Sequence, residues 1–226
     1  TVETDGVIED VAVLPGDLAD LVYYIVRRTR NSTTVRYMEK FALRSECIGG
    51  TISKNLDSHI NISQASSTTV TGLSTLEGST VYVWANSKDL GSYVVSSGSI
   101  TATEAVTTAC VGLPYEARFN SAKLAYAAKG GTAINQNKRV DSIGLLLADT
   151  HFQGLRYGQD ADHLQGLPKV ERGETTSDNT VWDSYDEPMF TINGTYDTDS
   201  RLYLRAYSPK PCTILGVVIN IETHEG

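Results

Sequence analysis

The sequence is poor in cysteine and proline and has no long apolar run, and these shortages exclude several classes of protein. It has three cysteines, an odd number, and six prolines in 226 residues. Cys47, Cys110 and Cys212 lie far apart, without a CxxC pair or the Cys/His spacing of a zinc finger. No apolar run approaches the ~20 residues of a membrane-spanning helix, so no membrane anchor is predicted. We expect three buried thiols in a reducing compartment.

Positive charge is also scarce. The chain has 19 Lys and Arg against 27 Asp and Glu, a formal net charge of −8, so it lacks the broad basic surface that nucleic-acid binding requires. Such a chain could instead line a passage through which a polyanion slides without sticking. One local concentration of positive charge remains, in the opening third: Arg27, Arg28, Arg30, Arg36 and Lys40. Pairing with nearby acids such as Glu39 is the expected role, and a phosphate-binding hairpin is the alternative.

The residues that are abundant favour strands. The chain has 25 threonines, 20 serines, 12 tyrosines and 19 glycines, a composition typical of short strands separated by turns. Alternating or apolar runs predict strands at 7–14, 21–29, 34–42, 67–71, 79–85, 92–95, 99–103, 105–111, 141–148, 188–192, 201–207 and 213–221. We expect a helical turn or two at most, near 121–128, and a long exposed loop region over 153–182.

The fold class predicted is therefore all-β, in three parts. Residues 1–46 form an opening hairpin of propeller-blade type, 47–112 a small β-barrel or sandwich, and 113–226 a second, sandwich-like unit. The chain begins with Thr1 and shows no signal-peptide pattern, so we expect it to be a fragment or a processed chain.

No motif in the sequence predicts a catalytic, cofactor-binding or metal-ligating residue, and we expect no enzyme activity and no cofactor. The GxSxG, HExxH, Walker and GxGxxG patterns are all missing. The four histidines, at positions 59, 151, 163 and 224, do not have the spacing of a metal-binding motif. His151 and His163, with Asp160 and Asp162 between them, are expected to be solvated loop residues. The pair Asp197 and Asp199 resembles a loose calcium loop, but turn-forming aspartates are the better interpretation.

Several short segments, in order along nearly the whole chain, carry a family resemblance. They are 6–13 (GVIEDVAV), 26–29 (VRRT), 35–39 (VRYME), 71–73 (TGL), 76–81 (LEGSTV), 98–101 (GSIT), 111–115 (VGLPY), 138–141 (KRVD), 154–158 (GLRYG), 181–182 (VW) and 194–202 (GTYDTDSRL). Taken together, the chain resembles the C-terminal portion of tail hub or nozzle (tail stabilisation) proteins of short-tailed bacteriophages.

The resemblance implies a non-enzymatic virion protein that is assembled in the host cytoplasm. Such proteins form a ring, expected to be a homo-hexamer, that prolongs the DNA-exit channel and holds spikes, fibres or a plug. The implied partners are other tail proteins, and DNA passes without being specifically bound. The alternative from another class is a carbohydrate-binding β-module, in which exposed tyrosines and tryptophans stack on sugars. The aromatic residues considered for that role are Tyr23, Tyr24, Tyr37, Tyr82, Trp84 and Tyr93.

Overall fold

The structure, a computed structural model, describes residues 4–17, 19–30, 32–43, 46–50, 56–125, 133–171, 173–186 and 188–223. Within them the chain is built almost entirely of antiparallel strands, which confirms the all-β prediction. It forms two compact units, residues 1–115 and 116–226. The propeller, barrel and sandwich descriptions, and the boundaries at 46/47 and 112/113, stay predictions.

The first unit opens with a three-stranded meander. Its strands are β1 (Val7–Leu14), β2 (Leu21–Arg30) and β3 (Thr33–Lys40), in the order β1-β2-β3. One face of β2 carries the buried residues Val26 and Arg28, because strand residues two apart share a face. A β-bulge between Ile8 and Asp10 breaks the register of β1 with β2.

The second sheet of this unit has four strands in the order β4-β7-β5-β6. They are β4 (Asp57–Thr71), β5 (Thr80–Ala85), β6 (Lys88–Val94) and β7 (Ser99–Leu113), with a 3₁₀ turn at Ser74–Leu76. β7 is one continuous strand where the sequence predicted two, and β4 begins ten residues before the predicted strand at 67–71. Both long strands contain Ser/Thr-rich stretches in which apolar alternation is weak.

The core of the first unit lies on one face of this four-stranded sheet. It includes three residues of β5, Val81, Val83 and Ala85, all fully buried. The other members of this cluster are Ile62, Val70, Leu73, Leu76, Val95, Ile100, Ala102, Val106, Ala109, Val111 and Leu113. Trp84 points to the opposite face and is buried as well, so β5 is covered on both sides.

The second unit is organised around one long strand, β9 (Lys138–His151). On one side β9 pairs with β14 (Val181–Asp186) and with β15 (Phe190–Thr191), and it also pairs along most of its length with β17 (Thr213–Thr223). A second sheet has the order β11-β10-β16-β8 and consists of β8 (Glu116–Asn120), β10 (Leu155–Gly158), β11 (Gln165–Gly166) and β16 (Tyr203–Tyr207). A short ladder joins β12 (Val170–Glu171) to β13 (Glu174–Thr175).

The region 153–182 is only in part the exposed loop that its Gly, Asp and Ser content suggests. It contains β10 to β13 and the start of β14, and Leu155 and Tyr157 of β10 belong to the core. At 121–128, where a helical turn was expected, residues 121–125 form no helix, and 126–128 lie outside the described residues.

Candidate functional site

Three side chains with metal-binding atoms converge in the first unit, although they come from distant parts of the sequence. Cys47 lies in the segment 46–50, His59 near the start of β4 and Cys110 in β7. Their ligand atoms all lie within 4.8 Å of one another, and the Cys47 Sγ is 3.7 Å from the His59 Nε2. Within the described part of the chain, these are the three side chains of the His, Cys, Asp or Glu type whose ligand atoms lie close enough together to bind one metal ion. We call it the Cys/His cluster.

The four-stranded sheet supplies two of these side chains. Asn61 of β4 lies directly opposite Cys110 of β7 in the strand register, and Trp84 of β5 lies opposite Cys110 on the other side. A register shift between Asp57 and Ile60 interrupts the alternation of β4 at His59, and it is the contact of the His59 ring with Cys47 that places it beside the face carrying Asn61 and Cys110. That face is the one opposite the aliphatic core.

Cys47 reaches this face because two contacts fix the backbone around it. The Asn61 side chain donates a hydrogen bond to the Glu46 carbonyl and accepts one from the Ile48 N–H at 3.2 Å, so it brackets Cys47 on both sides. Two residues later, Gly49 adopts φ +111°, and a Cβ there would lie 2.4 Å from the Trp84 carbonyl oxygen. Only glycine allows this segment to lie so close to β5.

The cluster is electrostatically coupled. A hydrogen bond with Cys110 lowers the pKa of Cys47 against the opposing effect of burial, and a hydrogen bond with His59 lowers it further. The same Cys47 contact raises the pKa of His59, again against burial. The His59 Nδ1 lies 3.3 Å from the Leu56 carbonyl oxygen, which fits an Nδ1–H tautomer that leaves Nε2 free as a lone-pair donor. Two thiols and an imidazole so arranged can bind a soft metal ion or form a disulfide.

His59 also lines an open groove of about 640 Å³ in the first unit. The aromatic residues that share the groove wall are Tyr24, Tyr37, Phe41 and Tyr115. Phe41 is exposed, and the Tyr37 hydroxyl donates to the Thr75 carbonyl at 3.1 Å. The groove therefore combines ring surfaces with polar groups, a lining common in small-molecule sites.

A second polar centre surrounds Arg28, which is only 3% exposed. Its guanidinium contacts Asp5 at 2.5 Å, Asp57 at 3.3 Å and also Glu39. The Thr4 hydroxyl joins the centre by accepting from Arg28 and donating to Asp57. Although burial opposes the shift, the hydrogen bonds from Arg28 and Arg30 lower the pKa of Asp5. Arg28 therefore ties the meander to the start of β4.

The other members of the basic cluster are paired as well. Arg27 and Arg36 both contact Glu9, each at 2.7 Å. Arg30 pairs with Asp5 at 3.0 Å, and Lys40 contacts Glu46. These contacts satisfy the positive charge within the unit, as an ordinary cross-strand role requires.

The histidines considered from the sequence occupy different settings. His151 is buried at the end of β9, where its Nδ1 accepts a hydrogen bond from the Gln153 N–H at 3.0 Å, so the expectation of a solvated loop residue is wrong for this histidine. His163 is exposed and bonds to Asp160 at 2.9 Å. The Asp197 carboxylate accepts from the Asp199 N–H at 3.0 Å, the geometry of an Asx turn.

Strand β1 leaves apolar side chains uncovered. Ile8, Val11 and Val13 are 42%, 56% and 58% exposed. The register places them opposite Val26, Tyr24 and Val22, on the sheet face where Val26 is fully buried. We call these three residues the β1 stripe. On this face of the meander, therefore, Val26 in the central strand is buried, whereas the apolar side chains of the edge strand β1 are exposed to solvent.

Comparison with known protein families finds no matching family model, and comparison with curated proteins finds no significant sequence match. Among the described residues, no helix has the length and apolar character to cross a membrane.

Proposed function

We propose that this chain is a non-enzymatic structural protein of a bacteriophage tail hub or nozzle. In this role it forms part of a homo-hexameric ring that prolongs the DNA-exit channel and anchors spikes, fibres or a plug. Its site of action is the virion tail, after assembly in the host cytoplasm. The ordered sequence resemblance supports this proposal, and the β1 stripe is the structural observation that carries it.

The β1 stripe supports assembly because its exposure costs hydrophobic free energy that a neighbouring chain recovers. β1 is an edge strand, and residues 11–14 (VAVL) contain no charge. Natural edge strands usually carry charges, prolines or bulges that prevent pairing with another chain. Here the bulge protects only the Ile8 end, so Val11 and Val13 remain available to a neighbouring subunit or tail protein.

The charge distribution supports a channel through which DNA passes without binding. The net charge is −8, and each residue of the basic cluster contacts a carboxylate. Affinity for duplex DNA comes mainly from unpaired Lys and Arg that release counterions from phosphates. We therefore expect no gel shift of duplex DNA at low salt. Micromolar binding that weakens steeply with salt would contradict this part of the proposal.

The assembly proposal is tested by sedimentation and negative-stain microscopy of the purified chain. We expect a concentration-dependent closed ring that Val11→Lys shifts towards the monomer. Val218→Lys is the matched control, because Val218 is also a strand valine with 56% exposure and lies in the second unit. A chain that stays monomeric at all concentrations, or one that both variants dissociate equally, would refute the role of the β1 stripe.

A carbohydrate-binding module is the second candidate, and the aromatic groove favours it. Rings such as Phe41 offer the apolar faces on which sugars stack, and polar side chains share the groove wall with them. Glycan-array screening followed by calorimetry with Phe41→Ala tests this function. Saturable binding that the substitution abolishes, in a chain that forms no ring, would replace the assembly proposal.

A further inference from the structure

We propose that Cys47, His59 and Cys110 form a binding site for one thiophilic divalent ion of the zinc class, with the fourth position left to water or to a donor from the groove. This inference is independent of the proposed tail function. Thiolate and imidazole ligands select zinc and related soft ions, whereas magnesium and calcium prefer oxygen.

The spacing of the three ligand atoms suits a tetrahedral ion. With metal–sulfur and metal–nitrogen bonds of about 2.3 and 2.0–2.1 Å, tetrahedral ligands lie about 3.6–3.8 Å apart. The Cys47 Sγ and His59 Nε2 are 3.7 Å apart, and all three atoms lie within 4.8 Å of one another. Only small side-chain adjustments are needed to close the site around an ion.

The surroundings of the cluster orient its ligands in the way that metal sites require. A metal-bound histidine usually donates its other ring N–H to a carbonyl or carboxylate, which fixes the ring and its tautomer. The contact of the His59 Nδ1 with the Leu56 carbonyl at 3.3 Å provides this partner. Asn61, which brackets the backbone on both sides of Cys47, holds the loop ligand in place.

Charge also favours an ion. Both cysteines are buried, Cys110 completely. Two thiolates side by side in such a place would repel each other, whereas a divalent cation neutralises them and leaves the site with no net charge. Binding would displace the thiol protons and cross-link the segment 46–50 to β4 and β7.

Solvent access is limited to one side. The two cysteines are closed off from solvent, while His59 is half-buried and lines the groove. The carboxylate of Glu46, the residue before Cys47, already accepts from Lys40 and from the Leu43 N–H at 2.8 Å. We therefore assign the fourth position to an exchangeable ligand.

The experiment uses the full chain, reduced and freed of metal with a chelator, and cobalt(II) as the spectroscopic probe. We expect saturation at one ion per chain, with thiolate-to-cobalt charge-transfer bands and the intense visible bands of tetrahedral cobalt. Zinc should displace the cobalt stoichiometrically and raise the melting temperature. Cys47→Ala and His59→Gln should each weaken binding at least tenfold, and the former should reduce the charge-transfer intensity by about half.

Two matched controls separate the cluster from other thiols and histidines. Cys212→Ala removes the third free cysteine, which lies in the second unit, and His163→Gln removes an exposed histidine. Both variants should bind cobalt as the unsubstituted chain does. Circular dichroism of each metal-free variant establishes that lost binding is not lost folding, and His59→Gln provides an independent test if a cysteine variant unfolds.

Three outcomes would overturn the proposal. One is cobalt uptake well below one ion per chain without tetrahedral bands. Another is binding that Cys212→Ala removes as completely as Cys47→Ala does. The third is a thiol count showing that Cys47 and Cys110 form a disulfide in the chain as purified under reducing conditions.

Discussion

Replacing Arg28 with methionine should strongly destabilise the first unit. The Arg28 side chain is 1% exposed. The substitution keeps a long apolar side chain at this position and removes the guanidinium. It leaves Asp57 and Glu39, whose side chains are 6% and 12% exposed, without the cation that both contact. Asp5 is affected less, because it is 39% exposed and keeps Arg30.

The magnitude follows from the two carboxylates that lose their partner in a buried setting. Removing one member of a buried ion pair typically costs about 3–5 kcal/mol, mainly because the remaining charge is uncompensated. We expect Arg28→Met to lower the free energy of unfolding of the first unit by that amount. The control is Arg36→Met on the same meander, since Arg36 is 60% exposed and pairs, among the residues that the structure describes, with Glu9. Its loss should change the stability little, because solvent screens an exposed ion pair.

Urea unfolding followed by tryptophan fluorescence measures both variants. In a common Trp182→Phe background, Trp84 reports on the first unit alone, because the chain has two tryptophans. An Arg28→Met cost below about 1 kcal/mol, equal to that of the control, would refute the account of this centre as a buried ion-pair network.

The pH dependence provides a second test of the same centre. The pKa of Asp5 is lowered below its ordinary 3.8 by Arg28 and Arg30, against burial. This carboxylate therefore stabilises the folded unit above pH 3.8, and the stabilisation is lost as the pH falls through the lowered folded pKa. In Arg28→Met part of that contribution is already missing. The difference in stability between the two proteins should shrink as the pH falls below about 4, and a constant difference would contradict the assignment.

Three further predictions concern single residues. Gly49→Ala should destabilise the first unit more than Gly91→Ala in a urea melt. Both positions have positive φ, but of the two only at Gly49 would the added Cβ meet a backbone carbonyl. Equal losses in the free energy of unfolding would refute this. Lys138→Met should cost the second unit about 1–3 kcal/mol in thermal unfolding, because the three N–H groups of the buried ammonium are shared among four backbone carbonyl oxygens within hydrogen-bond distance. A neutral result would show that those carbonyls find other partners. His163 should titrate by NMR above its ordinary pKa of 6.5 because Asp160 accepts its hydrogen bond, and Asp160→Asn should remove the shift.

Local pattern was sufficient for most strand positions. The predicted strand at 7–14 matches β1, and the Pro15–Gly16 pair follows its end. The predicted strand at 79–85 matches β5, whose Val81, Val83 and Ala85 share a buried face. Pattern was less informative where apolar content is low, as along β4, because strand pairing there depends on β7 rather than on local sequence.

The Cys/His cluster could not be predicted from spacing. Cys47, His59 and Cys110 are separated by 12 and 51 positions, so no short motif links them. The strand register places β4 beside β7, and Gly49 allows the segment with Cys47 to approach that face. Asn61 lies opposite Cys110 in the sheet and holds the backbone on both sides of Cys47. Its role in the cluster becomes visible only once the pairing of β4 with β7 is known.

By itself, then, the sequence determined the all-β class, the acidic charge and most strand positions, because composition and two-residue alternation act locally. Tertiary structure alone decided which cysteines meet a histidine, which carboxylates surround Arg28 and which apolar residues of β1 remain uncovered. Those features depend on contacts between segments distant in the chain, and side-chain periodicity carries no information about which strands become neighbours.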